Sequence, residues 1–171
     1  MRSLYLISFL LLPFMAVADV TNVSVDHAHI VDLARKLAAA PYDPDRGSVP
    51  KAFRQMSYDD YRRIRFRPED SLWIGDSLPF RVQFFHPGYI YDRTVELHEF
   101  SGGYMQDIPF TRDHFDYQDL HVPFWSKWGL GYAGFRLLNE LNQAGKWDEV
   151  ISFLGASYFR ALAKGQFYGI S

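Results

Sequence analysis

The pattern of hydrophobic and polar positions divides the chain into an apolar leader, a helical stretch and a long region of strands. From Ser24 to Ala40, apolar residues recur at helical spacing, which predicts an amphipathic helix that ends before Pro41. A loop rich in proline and aspartate follows, and a second short helix is predicted from Ser48 to Tyr61. We therefore expect the helical part of the fold to end near Tyr61.

From Arg62 onward the hydrophobic pattern alternates with a period of two, as in strands that are buried on one side. A strand at Phe80–His86 is expected to turn at Pro87-Gly88 and to begin its return at Tyr89–Tyr91. Further strands are predicted at Arg62–Arg67, Thr94–Phe100, Tyr104–Phe110, Phe115–Tyr117, Glu149–Leu154 and Tyr158–Leu162. Short strands separated by regular turn signals are typical of a β-sandwich or barrel.

The stretch from Phe135 to Gly145 fits two structures. Its leucines, Leu137, Leu138 and Leu141, can line one face of a helix, and Gly145 can end that helix. The glycine- and aromatic-rich residues just before it favour an extended chain instead. Periodicity alone leaves both possibilities open.

The leader, residues 1–18, has the features of a secretory signal peptide. A single positive charge, Arg2, precedes an apolar run, and Ala16-Val17-Ala18 offers the small residues that signal peptidase requires. The run is shorter than the ~20 residues that span a bilayer, although an uncleaved anchor remains the alternative. The leader has no twin-arginine pair, so we expect export by the general secretory route and a mature chain of residues 19–171.

Composition narrows the classes of function. The chain has 171 residues, of which 48% are hydrophobic and 22% charged, as in an ordinary globular domain. Its net charge of -2 provides no basic surface for nucleic acid. The absence of cysteine excludes a disulfide framework, a thiolate zinc site and a cysteine nucleophile. An exported chain without cysteine fits the bacterial periplasm.

Candidate chemistry is sparse. No phosphate loop, zinc-protease motif or serine-hydrolase motif is present, and the histidines match no metal-ligand spacing, so we predict neither metal nor cofactor. Asp113, Asp116 and Asp119 are possible acids but are more simply read as turn residues and solvated charges. Aromatic residues make up 18% of the chain, and tyrosine and tryptophan suit a cleft that packs against sugar rings.

Five segments carry a resemblance to a known family. They are Tyr58–Phe66, Phe84–Gly88, the segment Leu130–Leu137 that corresponds to "GFAGFR" with Tyr132 for the usual Phe, "FLGASYFR" at Phe153–Arg160, and "GQ-x-YG-x-S" at Gly165–Ser171. Together they resemble the periplasmic glucan biosynthesis proteins, the OpgG/OpgD (MdoG/MdoD) family. The plain signal peptide makes the chain most similar to the OpgG branch.

The resemblance implies a mainly β fold: the N-terminal part of a large β-sandwich, similar to those of galactose mutarotases and glycoside hydrolases, preceded by a short helical segment. It favours a strand at Gly131–Leu138, a loop at Asn139–Asp148 and a strand from Glu149 onward. It also implies the periplasm of a Gram-negative bacterium. The implied role is the biosynthesis of osmoregulated periplasmic glucans, by binding and in some members processing a β-1,2-glucan backbone.

The resemblance also limits what can be assigned. Family members are about three times as long, and the acids credited with catalysis in glucanase-like members are expected beyond Ser171, so no catalytic residue is assigned. Tyr158, Arg160 and Tyr168 are predicted to contact substrate as one wall of a glucan cleft. Expected partners are a β-glucan and, as a further candidate, the membrane glucan synthase, with no nucleic acid and with membrane contact only during export. A non-catalytic carbohydrate-binding or scaffold protein is the alternative.

Overall fold

The computed structural model describes residues 27–122, 129–155 and 158–166. The fold is mainly β, as predicted, and begins with a short helical segment: α1 His27–Ala39, α2 Lys51–Arg54 and α3 Tyr58–Tyr61. The strands are β1 Arg65–Phe66, β2 Phe80–Phe85, β3 His98–Ser101, β4 Tyr104–Asp107, β5 Phe115–Asp116, β6 Gly134–Gln143, β7 Lys146–Leu154 and β8 Tyr158–Ala161. The predicted signal peptide lies outside the described residues.

All strand pairs in these sheets are antiparallel. A central four-stranded sheet has the order β2-β6-β7-β8, and two-stranded sheets are formed by β1 with β5 and by β3 with β4. This arrangement is consistent with a fragment of a β-sandwich. In the described part of the chain, no helix combines the length and apolar character needed to cross a membrane.

The helical segment differs from the prediction at one point. The end of α1 before Pro41 is confirmed, whereas its predicted start at Ser24 lies outside the described residues. The single helix predicted over 48–61 is wrong, because the chain forms α2 and α3 with a break between them. Ser57 causes the break: it is extended, and its hydroxyl accepts a hydrogen bond from the Asp60 amide, which caps the start of α3.

The prediction that a strand returns after Pro87-Gly88 is wrong. Gly88 and Tyr91 instead close a tight turn on each other through paired backbone hydrogen bonds of 2.8 and 2.9 Å. The Tyr89 amide donates to the Phe53 carbonyl of α2, which holds this turn against the helical segment. The partner of β2 is therefore not its neighbour in sequence but β6, which lies about fifty residues later.

The prediction of a loop at residues 139–148 is also wrong, because β6 and β7 form one long hairpin through this region. Asn139 pairs with Asp148, and Gln143 pairs with Lys146. The turn between them is short because Gly145 takes a positive φ of 79°, which glycine adopts without steric cost. The extended alternative for Phe135–Gly145 is confirmed and the helix is excluded.

The core lies under the central sheet and is rich in aromatic rings. Tyr132, which stands where the resembled family usually has Phe, is 1% exposed and stacks on Phe84 with 4.3 Å between ring centroids. Its hydroxyl accepts a hydrogen bond from the Thr111 amide at 3.1 Å and lies 3.1 Å from Nδ1 of His114. The extra oxygen is therefore bonded in the core and not left unsatisfied.

Candidate functional site

One row of polar residues crosses the central sheet. The strand registers pair Gln83 with Arg136, Arg136 with Ser152, and Ser152 with Arg160. Side chains opposite each other in paired strands lie on the same face of a sheet. We call this side the polar face. The next row, on the opposite side, consists of Phe84, Phe135, Phe153 and Phe159.

Hydrogen bonds anchor this row at its β2 end. Nε and one terminal nitrogen of Arg136 donate to the side-chain oxygen of Gln83 at 3.0 and 2.7 Å. The amide of Gln83 in turn donates to the Ser71 hydroxyl at 2.9 Å, and that hydroxyl donates to the Pro68 carbonyl. Gln83 and Ser71 are buried. The Arg136 guanidinium is therefore fixed in position before any ligand arrives.

The Glu149 carboxylate lies between two guanidinium groups. One oxygen accepts from Arg136 at 3.4 Å, and the other accepts from the Ser152 hydroxyl and from Arg160, with 3.1 Å to Nε of Arg160. A bulge in β7 places it there, because Leu137 pairs with Ile151 whereas Leu138 pairs with Glu149. The site thus has an acceptor flanked by two cationic donors.

Electrostatics keep Glu149 ionised. Burial raises the pKa of its carboxyl. Hydrogen bonds from Ser152 and Arg160 and the charges of Arg160 and Arg136 lower the pKa by more than burial raises it, so the pKa lies below its ordinary value. At neutral pH this group accepts hydrogen bonds and does not donate a proton.

A cluster of tyrosine rings stands beside this network. The ring of Tyr89 lies 5.8 Å from that of Tyr58 and 6.3 Å from that of Tyr61, and Tyr61 lies 5.6 Å from Tyr91. Burial, together with the neighbouring Tyr158, Tyr58 and Tyr89, raises the pKa of Tyr91. The phenol of Tyr91 is therefore neutral at physiological pH and retains its donor hydrogen.

Tyr91 of this cluster and Glu149, Ser152 and Arg160 of the network line a depression of about 410 Å³, which we call the Tyr158 depression. A second hollow of about 310 Å³ shares Phe85, Tyr91 and Leu154 with it and extends toward Tyr58 and Arg136. The lining residues of the Tyr158 depression are Phe85, Ile90, Tyr91, Glu149, Ser152, Leu154, Tyr158 and Arg160. The lining therefore combines aromatic rings with hydrogen-bonded polar groups.

The structure brings together two of the three residues predicted to contact substrate. Tyr158 and Arg160 are two positions apart on β8, lie on the polar face, and both line the Tyr158 depression. Tyr168 lies outside the described residues. Sequence reasoning missed Glu149 and Arg136, although charged residues within otherwise apolar strands signal a need for partners.

The other candidates lie elsewhere. Asp113 and Asp116 line a separate open cleft, and Asp119 forms an ion pair with Arg63. His86 is buried and contacts the Tyr117 hydroxyl at 2.9 Å. Across residues 27–122, 129–155 and 158–166, no group of three or more histidine and acidic side chains could hold a metal ion.

The fold and the site together define a class of protein: an antiparallel β-protein with an aromatic, charged depression on one face of a sheet. Within this class the chain belongs to the family described as "Periplasmic glucan biosynthesis protein, MdoG", whose sequence profile matches residues 25–171. That description places the family in the periplasm.

Curated relatives agree with this assignment. The chain is 43% identical over 160 residues to a "Glucans biosynthesis protein G" of Rhodopseudomonas palustris, covering 93% of this chain and 32% of the relative. It is 40% identical over 143 residues to the protein so named in Dickeya dadantii, covering 83% and 27%. The corresponding protein of Pseudomonas syringae pv. tomato is 35% identical over 171 residues, covering 100% and 26%. The chain thus spans about a third or less of the length of these relatives.

Proposed function

We propose that this chain supplies a glucan-binding surface to periplasmic glucan biosynthesis, and that the Tyr158 depression contacts a β-1,2-linked glucose backbone. The observation that carries the proposal is the convergence of Tyr158 and Arg160 with Tyr91 and Glu149 around one depression. The names of the family and of the relatives support the glucan-related role.

The lining suits the two kinds of surface that a glucose ring presents. Apolar C–H faces pack on aromatic side chains, and Tyr158 and Tyr91 provide such rings at the depression. Hydroxyl groups both donate and accept, so they match an ionised carboxylate flanked by guanidinium donors. Glu149 and Arg160 provide that pair.

The charge state of Glu149 does not suit a general acid, which is one of the two carboxyl groups that sugar cleavage uses. Glycoside hydrolysis needs a carboxylic acid whose pKa is raised so that it can protonate the leaving oxygen. The pKa of Glu149 is lowered, because two arginines and Ser152 stabilise its carboxylate. Both oxygens of Glu149 also already accept hydrogen bonds from Arg136, Ser152 and Arg160, so we propose a carbohydrate-binding, non-catalytic role for the Tyr158 depression.

Calorimetric titration of the chain with linear β-1,2-glucan oligosaccharides tests the proposal. Tyr158→Ala removes a half-exposed ring from the depression and is expected to weaken binding about tenfold. Tyr104→Ala is the matched control, because Tyr104 is similarly exposed but lies on the separate β3–β4 hairpin. Equal affinity of the two variants, or no binding by the unaltered chain, would overturn the proposal.

A further inference from the structure

A second cleft shares the strands β2 and β7 with the Tyr158 depression. Trp147 precedes Glu149 by two positions on β7, so the two side chains lie on the same face, about 7 Å apart along the strand. The cleft has a volume of about 490 Å³. Its polar and indole-bearing lining residues are Trp73, Asp76, Arg81, Asn139, Glu140 and Trp147. We call it the Trp147 cleft.

Several contacts hold its lining in place. The guanidinium carbon of Arg81 lies 3.9 Å from the centroid of the Trp147 ring, a cation–π contact that fixes both side chains. The indole nitrogen of Trp73 donates to Glu99 at 2.7 Å. The side-chain amide of Asn139 donates to the Pro79 carbonyl at 2.7 Å. Both indole rings, Arg81 and Asn139 are therefore held in place without a ligand, which reduces the entropy cost of binding one.

The strand register places the Trp147 cleft and the Tyr158 depression next to each other along the sheet. Arg81 pairs with Leu138, and Leu138 pairs with Glu149, the carboxylate at the edge of the Tyr158 depression. From Trp147 to Leu154, the strand β7 spans roughly 20 Å at the usual rise per residue. One extended ligand lying along β7 would contact both sites.

We propose that the Trp147 cleft is a second saccharide subsite, which binds further neutral sugar units of a glucan held in the Tyr158 depression. The identity of the saccharide rests on the proposed function. The cleft combines two indole rings with amide, guanidinium and carboxylate groups, the mixture that packs on sugar rings and bonds their hydroxyls. Two carboxylates, Asp76 and Glu140, against the single cation Arg81 disfavour an anionic ligand.

The test compares short and long oligosaccharides on the same variants. Trp147→Ala is expected to weaken binding of long β-1,2-glucan oligosaccharides about tenfold and to leave the affinity for a disaccharide unchanged. Tyr158→Ala is expected to weaken both. The double variant Asp76→Asn, Glu140→Gln alters exposed groups only, so it tests the cleft even where Trp147→Ala disturbs folding as judged by circular dichroism.

The outcomes separate the two proposals. Loss of long-chain affinity in the cleft variants, with the disaccharide unaffected, supports the subsite. Unchanged long-chain affinity in both cleft variants would refute it and leave the Tyr158 depression as the binding site. An effect of the cleft variants without any effect of Tyr158→Ala would instead overturn both the Tyr158 depression as the glucan site and the role of the cleft as its extension.

Discussion

Replacing Glu149 by glutamine tests the physical account of the polar face. The substitution keeps the size of the side chain but removes the charge that Arg136 and Arg160 share. It also places an NH₂ donor against at least one guanidinium or hydroxyl donor. We expect Glu149→Gln to fold and to be less stable than the unaltered chain.

The burial of the three groups sets the size of the effect. The side chain of Glu149 is 17% exposed, whereas those of Arg136 and Arg160 are 35% and 42% exposed. Breaking a fully buried ion pair costs about 3–5 kcal/mol, and an exposed pair contributes below about 1 kcal/mol. We therefore expect a loss of about 2 kcal/mol in the free energy of unfolding, or roughly 4–8 °C in Tm for a chain of this size.

The pH dependence has a defined sign. The pKa of Glu149 is lowered in the folded state, so its carboxylate contributes stability above the ordinary value of 4.5. That contribution is lost as the pH falls through the lower pKa of the folded state. The gap in stability between the unaltered chain and Glu149→Gln is therefore full at pH 7 and narrows below about pH 4.5.

Urea unfolding at pH 7 and at pH 3, followed by far-ultraviolet circular dichroism, measures this gap. Glu96→Gln is the control, since Glu96 is 73% exposed and pairs with Arg46 at the surface. Its expected cost is below about 1 kcal/mol. Equal costs for the two variants at pH 7, or a Glu149 gap that widens in acid, would refute the reasoning.

Two further substitutions test the packing around the site by urea unfolding. Tyr132→Phe leaves the Thr111 amide without its side-chain acceptor and is expected to cost about 1–2 kcal/mol; a neutral result would show that this hydrogen bond contributes nothing. Gly134→Ala places a Cβ 2.1 Å from the Phe153 carbonyl oxygen, so β6 and β7 must separate there. We expect a cost of about 2 kcal/mol or more, and unchanged stability would contradict the close approach of these strands.

The local pattern predicted the parts of the fold that depend on neighbouring residues. The end of α1 before Pro41 and the position of β2 follow from helical spacing and from a period of two. The break between α2 and α3 was missed, because one capping hydroxyl, that of Ser57, interrupts a pattern that would otherwise extend through both helices. Strand ends were least well predicted: the β6–β7 hairpin closes within a region expected to be a loop.

The candidate site shows the same division. The sequence by itself determined that Tyr158 and Arg160 share a face, since alternation along a strand requires it. Only the tertiary structure decided which side chains lie beside Tyr158 and Arg160 on that face. The pairing of β2 with β6 and the bulge opposite Leu138 set the register, and both depend on contacts between residues far apart in sequence. This register brings Glu149 to Arg160, and the spacing of hydrophobic residues along one strand carries no information about it.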